Sequence, residues 1–273
     1  YGLILVEPTG GLPIVDEEFY VMQGEAYVNG AAGANGFRMF DAERMMDDRP
    51  SYFIFNGRTG EMVDRMTVDV GDDVRIFFGN GGVNRVSTLH IVGETFDRGY
   101  PEAAIGSDPV LNTDTTIVPA GGATIVELTA DAPGEYLLVD QSLDRADHGA
   151  WGVLEVVGAG AVNVAQHAFD PVAGPVLSRP HNHASRQALS QLDHLASIAH
   201  DPNDLPADPV PATGDNIRID LDAKEVIAEI APGVMVNYWT FDGSVPGPFL
   251  RVREGDRVEL TLHNDVENLF HHS

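Results

Sequence analysis

The sequence contains no cysteine, almost no lysine and no long apolar run. It contains no cysteine, which excludes disulfides and thiolate metal ligands within its 273 residues. It has a single lysine, Lys224, and its other basic residues are arginines. It shows no apolar run of roughly 18 residues and no basic, apolar and small-residue leader, so we expect neither a membrane-spanning helix nor a secretion signal within this sequence.

Acidic residues are abundant. The 42 Asp and Glu residues outnumber the 16 Lys and Arg residues, and the formal net charge is −26. This charge argues against nucleic acid or an anionic membrane as a partner. Dense carboxylates stay hydrated at high salt, where their mutual repulsion is screened. The excess of acid with so little lysine therefore predicts a surface adapted to high salt; the alternative is an ordinary acidic protein.

One strand–turn–strand pattern occurs twice, over Val68–Asn80 and Val252–Asn264. Both copies fit V-x-x-G-D-x-V, followed by alternating residues and an asparagine. The Gly-Asp pair suits a tight turn, and the alternation is typical of a strand with one buried face. An aromatic strand pattern precedes each copy, at 52–57 and 238–243. The matched landmarks predict a repeated domain.

A second repeat indicates the domain boundaries. The aromatic-glycine strand at 1–7 returns at 151–157. We therefore expect residues 1–12 to be the final strand of one domain and 13–160 to be a complete domain. Residues 215–273 would be the N-terminal half of a further domain like the first. On this template the chain begins and ends within domains.

The spacing of the strand patterns predicts an all-β fold. Short strands separated by Gly and Pro turns indicate β-sandwiches with Greek-key connections. In the complete domain we predict strands at 52–55, 62–68, 74–78, 87–92, 115–118, 123–129, 135–139 and 151–157.

A linker of different character is expected at 161–214. Leucines at a three-residue spacing predict an amphipathic helix over 184–200. The proline-rich stretch 201–211 predicts an extended segment, because each proline restrains the residue before it.

Histidines are the first candidates for chemistry. His90 follows the first turn glycine by 19 residues, and His272 follows the second by 17. A histidine where a strand meets a loop can bind a metal or transfer protons, although a satisfied core histidine is the alternative. His181 and His183 could chelate a metal, but a solvated loop is favoured there. Asp114 and Thr115 precede a strand, where turn capping is the ordinary interpretation.

Six stretches of the sequence together resemble one family, the copper-containing nitrite reductases. Residues 238–260 resemble its first domain, and multicopper oxidases share part of that pattern. The passage from its first to its second domain resembles residues 1–8 with 18–24. The second domain resembles 52–57, 89–97 and 116–122.

The resemblance implies a homotrimer of subunits built from two cupredoxin-like Greek-key sandwiches, active outside the cytoplasmic membrane. A type 1 copper would take electrons from a small redox protein, a blue copper protein or a cytochrome. A type 2 copper would reduce nitrite to nitric oxide. By resemblance His90 delivers protons, Val92 walls the substrate pocket, and Asp114 with Thr115 orients a histidine through water. His272 matches a type 1 copper ligand.

The sequence departs from the family pattern at one ligand position and in the order of its domains. Gln141 stands where the family has a histidine ligand of type 2 copper, and an amide oxygen is the poorer copper ligand. The second-type domain precedes the first-type one, which implies a tandem array, a permuted chain or an incomplete one. The proline-rich linker resembles the leader of haloarchaeal members. A non-catalytic cupredoxin scaffold and a multicopper oxidase-like protein are the alternative functions.

Overall fold

The computed structural model describes residues 1–159, 197–209, 216–264 and 268. The predicted metal ligand His272, the histidines His181 and His183, and most of the predicted helix at 184–200 lie outside these residues.

The described residues form seventeen strands. In chain order they are β1 Ile4–Glu7, β2 Glu17–Ala26, β3 Gly36–Arg38, β4 Tyr52–Phe55, β5 Met66–Asp69, β6 Asp73–Asn80, β7 Ser87–Ile91, β8 Phe96–Tyr100, β9 Val110–Thr113, β10 Thr115–Val118, β11 Ala123–Thr129, β12 Gly134–Asp140, β13 Trp151–Val157, β14 Asn216–Ala231, β15 Val234–Phe241, β16 Leu250–Arg253 and β17 Arg257–Asn264.

A two-sheet sandwich occupies the first part of the chain. One sheet has the strand order β10-β7-β12-β13-β5, and the other has the order β4-β2-β6-β11-β8-β9. Alternate residues of both sheets meet in one buried core, which includes Ile76 and Phe78 of β6, Leu89 of β7 and Leu138 of β12. Burial of these apolar faces is the main stabilising term of such a sandwich. The prediction of an all-β sandwich is confirmed.

The rest of the described chain adds two smaller sheets. One has the strand order β17-β14-β15-β3, and the other pairs β1 with β16 in parallel. A second apolar cluster joins the sandwich to the four-stranded sheet, with Tyr52 and Ile54 packing against Ile230 and Val236. Residues 4–7 and 250–253, which are far apart in the sequence, are adjacent in space.

The repeated pattern in the sequence has a structural counterpart. In the sandwich β13 pairs in parallel with β5, and Leu154 lies opposite Met66. In the second copy β1 pairs in parallel with β16, and Ile4 lies opposite Leu250. The two registers match position for position, because Leu250 corresponds to Met66 in the repeat. Both turn glycines, Gly71 and Gly255, take positive φ values of 98° and 97°, a conformation that favours glycine.

Residues 197–209 form a segment that bonds to the loop around Val245 on one side and to strand β2 on the other. Ala199 forms a parallel bridge with Val245, and the Val245 N–H donates to the carbonyl of Ile198 at 2.8 Å. On the other side the Tyr20 N–H donates to the Pro202 carbonyl at 2.9 Å. The predicted helix therefore does not reach residue 200: residues 197–200 are extended, since their backbone groups bond to a neighbouring loop instead of to one another.

The helices of the described residues are short. They are α1, Ala42–Met46, and α2, Leu143–Asp147, together with two three-residue 3₁₀ turns. Within the described part of the chain no helix has the length and apolar character needed to cross a membrane. The α2 helix directly follows β12 and so borders the candidate site.

Candidate proton-transfer site

His90 lies in the five-stranded sheet, one strand in from the edge strand β10. It is on β7, with Thr115 of β10 opposite it on one side and Val139 of β12 opposite it on the other. Residues directly opposite one another in an antiparallel pair project from the same face. His90, Thr115 and Val139 therefore form one row across the face of the sheet that points away from the sandwich core.

Hydrogen bonding selects the tautomer of the His90 imidazole. Its Nδ1 lies 2.6 Å from the carbonyl oxygen of Asp114, and 3.4 Å from the hydroxyl oxygen of Thr115. A carbonyl can only accept, so Nδ1 carries the proton and donates it to Asp114. In the neutral ring the lone pair is then on Nε2. The Asp114 side chain is exposed, so the described contact to His90 is through the Asp114 backbone.

An apolar cluster lies beside the imidazole on the same face. Leu137 and Val139 are buried there, and Val92, Trp151 and Val153 pack partly buried against them. Val92 directly follows β7, two residues beyond His90, and packs against this cluster. The structure brings together the predicted residues His90, Val92, Asp114 and Thr115. Their roles remain proposals.

A buried carboxylate, Asp140, fixes the end of β12 next to this row. Its Oδ1 accepts from the Thr88 hydroxyl at 2.6 Å and from the Ser142 N–H at 3.0 Å. Its Oδ2 accepts from the Gln23 amide at 2.8 Å and lies 3.3 Å from a guanidinium nitrogen of Arg145. Both oxygens are thus satisfied although Asp140 is fully buried. The loop that follows is held rigidly by these bonds.

Sequence reasoning did not single out Asp140 as a positioning residue. The pattern that could have revealed it is an aspartate at the end of an apolar strand, where burial demands several donors. Ser142, which donates its N–H to Asp140, also donates its hydroxyl to Asp144 at 2.7 Å. This bond holds the pKa of Asp144 below its usual value, although partial burial works against it.

Gln141 is held by its backbone at the end of β12. Its N–H donates to the Thr88 carbonyl at 2.8 Å, and its side chain is exposed. Thr88 is two residues before His90 on β7, so Gln141 lies one row from the imidazole. An amide at this position is a weaker copper donor than an imidazole.

The described residues do not by themselves supply a copper site. No group of three or more His, Cys, Asp or Glu residues in the described ranges is arranged to hold a metal ion. Soft thiolate and imidazole donors are the ones that copper prefers. His90 and Gln141 alone do not make such a donor set, so we assign no reaction step to a metal here.

Comparison with known proteins identifies relatives of this chain. Over 162 residues it is 48% identical to the copper-containing nitrite reductase of Neisseria gonorrhoeae, a match that covers 58% of this chain and 41% of that protein. Its relatives are copper-containing nitrite reductases. The reductase of Neorhizobium galegae is 28% identical over 177 residues, covering 58% of this chain and 46% of that protein. The chain spans less than half the length of these relatives.

Two further matches concern a domain family and a solved structure. The family model described as multicopper oxidase matches residues 222–271. The solved copper nitrite reductase from Nitrosomonas europaea aligns with a TM-score of 0.47 and 27% identity, over 60% of this chain and 54% of that one. The resemblance to copper-containing nitrite reductases is supported by the sequence relatives.

Proposed function

We propose that this chain contributes a sandwich domain and a proton-transfer histidine to a copper-dependent nitrite reductase. The reaction consumes nitrite, one electron and two protons, and releases nitric oxide and water. The observation that carries the proposal is the 48% identity to a copper-containing nitrite reductase, over a stretch comparable in length to the described sandwich. Copper supplies the redox chemistry in the relatives that are named copper-containing. In this proposal the residues of this chain transfer protons and form a wall of the substrate pocket.

His90 is the proton carrier in this proposal. The Asp114 carbonyl holds the Nδ1 proton, so Nε2 takes up and releases the proton that nitrite reduction requires. Thr115 lies close to the same nitrogen and limits rotation of the ring. Val92 walls the substrate side of the site, next to the buried Val139. An apolar wall of this kind keeps bulk water from the transferring proton.

The remaining features belong to the same proposal. The copper ligands would include His272, and a small blue copper protein or cytochrome would donate the electron. The assembly would be a homotrimer outside the cytoplasmic membrane of a salt-loving organism that denitrifies. The domain plan would be 1–12, 13–160, a linker at 161–214 and 215–273, in a tandem or permuted order. The matching registers of β1 with β16 and of β13 with β5 support the equivalence of the two sandwich types.

Two observations favour other functions. Gln141 in place of an imidazole favours a non-catalytic cupredoxin scaffold, since copper would then be held weakly. The domain match at 222–271 favours a multicopper oxidase-like protein. The identity over 162 residues to a nitrite reductase outweighs both.

Copper retention separates the reductase from the scaffold. The assembled reductase that contains this chain, unaltered or with Gln141→His, would be loaded with Cu(II), passed through a desalting column, and assayed for copper per chain and for the copper EPR spectrum. The reductase proposal predicts that the assembly with the unaltered chain retains copper and that nitrite alters its spectrum. It also predicts tighter retention by Gln141→His, because imidazole is the better ligand. If only the variant retains copper, the scaffold function is correct.

A further inference from the structure

Three buried polar side chains are hydrogen-bonded to one another in the core of the sandwich. Ser87 of β7 and Asp140 of β12 are fully buried, and Gln23 of β2 is 1% exposed. The Ser87 hydroxyl donates to Oε1 of Gln23 at 2.7 Å, and Nε2 of Gln23 donates to Oδ2 of Asp140 at 2.8 Å. Because β2 belongs to one sheet and β7 and β12 belong to the other, these bonds join the two sheets across the core. The proton transfer proposed for His90 uses none of these side chains.

Arg145 of α2 completes this network from the surface side. Its guanidinium lies 3.3 Å from Oδ2 of Asp140, and it also donates to the carbonyl of Val86, the residue that precedes β7. Its side chain is 15% exposed. Without Arg145 the Asp140 carboxylate would be buried with no cation beside it among the described residues, a costly arrangement. The ion pair therefore holds α2 against the end of β12 and the start of β7.

A short segment between β12 and α2 is fixed by the same network. It begins with Gln141, whose side chain is exposed and whose N–H donates to the Thr88 carbonyl at 2.8 Å. The next N–H, that of Ser142, donates to Oδ1 of Asp140 at 3.0 Å. Thr88 donates its hydroxyl to the same carboxylate at 2.6 Å, and it lies two residues before His90 on β7. The buried carboxylate thus determines where the exposed segment lies relative to the strand of His90.

We propose that Arg145 is a positioning residue for nitrite reduction, supported from the core by Gln23 through Asp140. It holds the segment at Gln141 against β7, so that this segment and Nε2 of His90 keep a fixed separation on the substrate side. Arg145 touches no reacting atom. A shift of about 1 Å in a reacting group can lower a rate about a hundredfold, which is why a rigid anchor matters here. The catalytic role rests on the proposed function, whereas the anchoring of the segment does not.

The variant Arg145→Met tests both parts in the assembled reductase that contains this chain. Steady-state kinetics would give kcat and the KM for nitrite, and hydrogen exchange followed by mass spectrometry would report on peptides that cover 139–147. We expect kcat to fall about tenfold or more and KM to stay within about threefold, since Arg145 orients groups for the reaction and does not bind nitrite. Exchange in 139–147 should become about tenfold faster or more, because the segment can then open locally. Exchange in β6 should stay unchanged and show that the sandwich is folded.

Two companion variants separate positioning from the effect of a stranded charge. Arg145→Lys keeps a cation beside Asp140 and should retain most of the activity and of the protection. Arg145→Met combined with Asp140→Asn leaves no unpaired buried charge, and the asparagine oxygen can still accept from Thr88 and Ser142. This double variant still lacks the ion pair to α2, so we expect its kcat and its exchange to resemble those of Arg145→Met.

Arg49 provides the surface control. Its side chain is 55% exposed and pairs with Asp47 at 2.6 Å, so Arg49→Met should leave kcat and exchange unchanged. An unchanged kcat in Arg145→Met, or recovery of both values in the double variant, would overturn the positioning role. Absence of nitrite reduction in the unaltered assembly would overturn the proposed function and this role together. In an active assembly, the variants test the role of Arg145 alone.

Discussion

The charged side chain of Arg75 is buried, so its ion pairs determine how much its burial costs in folding free energy. Its side chain is 2% exposed and pairs with Glu18 and Glu127 at 2.7 and 2.6 Å. Removing one partner of a buried pair leaves an uncompensated charge, which costs about 3–5 kcal/mol. We predict that Arg75→Ala lowers the free energy of unfolding by roughly this amount, measured by chemical denaturation.

Arg98 provides a matched control for Arg75. It approaches the same Glu127, at 3.6 Å, but its side chain is 56% exposed. Exposed pairs contribute about 0–1 kcal/mol, so Arg98→Ala should change the free energy of unfolding by less than about 1 kcal/mol. Equal losses in the two variants would show that burial is not what makes the Arg75 pairs matter.

Glu94 gives the sandwich a pH dependence. Burial raises the pKa of its carboxyl, and Asp131 and Asp97 add to the shift, although a hydrogen bond from Tyr136 opposes it. A carboxyl with a raised folded pKa contributes stability while it is protonated, and that contribution is lost as the pH rises through the folded pKa. We predict that Glu94→Gln melts at a higher temperature than the unaltered chain at pH 7.

The comparison must also be made in acid, where both side chains are neutral. The advantage of Glu94→Gln should vanish below about pH 4, near the ordinary glutamate pKa. The exposed Glu17 supplies a control, Glu17→Gln, for the removal of one carboxylate that is not withdrawn from water. A gain in Glu94→Gln that is the same at pH 4 and pH 7 would contradict the burial argument.

Several residues of the site make contacts that the sequence alone does not predict. The sequence singles out His90, the family resemblance associates Asp114 and Thr115 with a histidine, and the structure joins all three. The resemblance assigned Asp114 a water-mediated role, yet its carbonyl is what contacts the imidazole. A backbone contact depends on the register between β7 and β10, which side-chain patterns do not reveal. Asp140 was missed for a similar reason, since two of its donors, Gln23 and Thr88, come from distant parts of the chain.

Strand β1 should stabilise the folded molecule through the side chains on its buried face. Leu5 is buried against Tyr20 and Phe249, whereas its neighbour Ile4 is exposed. Truncating a buried leucine to alanine costs about 2–5 kcal/mol, and exposed positions change stability by about 0.5 kcal/mol or less. We predict a clear loss of stability in Leu5→Ala and little change in Ile4→Ala. Similar denaturation midpoints in the two variants would argue against the pairing of β1 with β16.

Most strands of the sandwich could be predicted, because alternating apolar residues bounded by glycine and proline specify them directly. The predicted strands at 52–55, 115–118, 123–129 and 151–157 agree with the observed bounds. The strands β8 and β9 were not predicted. Strand β8, Phe96–Tyr100, carries Asp97, Arg98 and Gly99, and such a sequence forms a strand because β11 pairs with it. Tertiary pairing of this kind overrides local propensity.

For the whole molecule, the charge of −26 predicts a dependence on salt. Repulsion among surface carboxylates opposes the compact state and is screened as ionic strength rises. We predict that the melting temperature of the chain increases between about 0.05 M and 2 M KCl, with most of the rise complete once the Debye length is near 3 Å. A melting temperature that is constant or falls over this range would contradict a surface adapted to high salt.

Nitric oxide production decides whether His90 carries protons in a copper-dependent nitrite reductase. The measurement is nitrite-dependent nitric oxide release with a reduced electron donor, by the copper-loaded reductase that contains this chain, either unaltered or with His90→Asn or the control His148→Asn. His148 also holds its Nδ1 against a backbone carbonyl, but it lies outside the His90 row. We predict release by the reductase that contains the unaltered chain or His148→Asn, and a roughly hundredfold or greater loss with His90→Asn at equal copper content. Equal rates in all three proteins, or no release from any of them, would contradict this prediction.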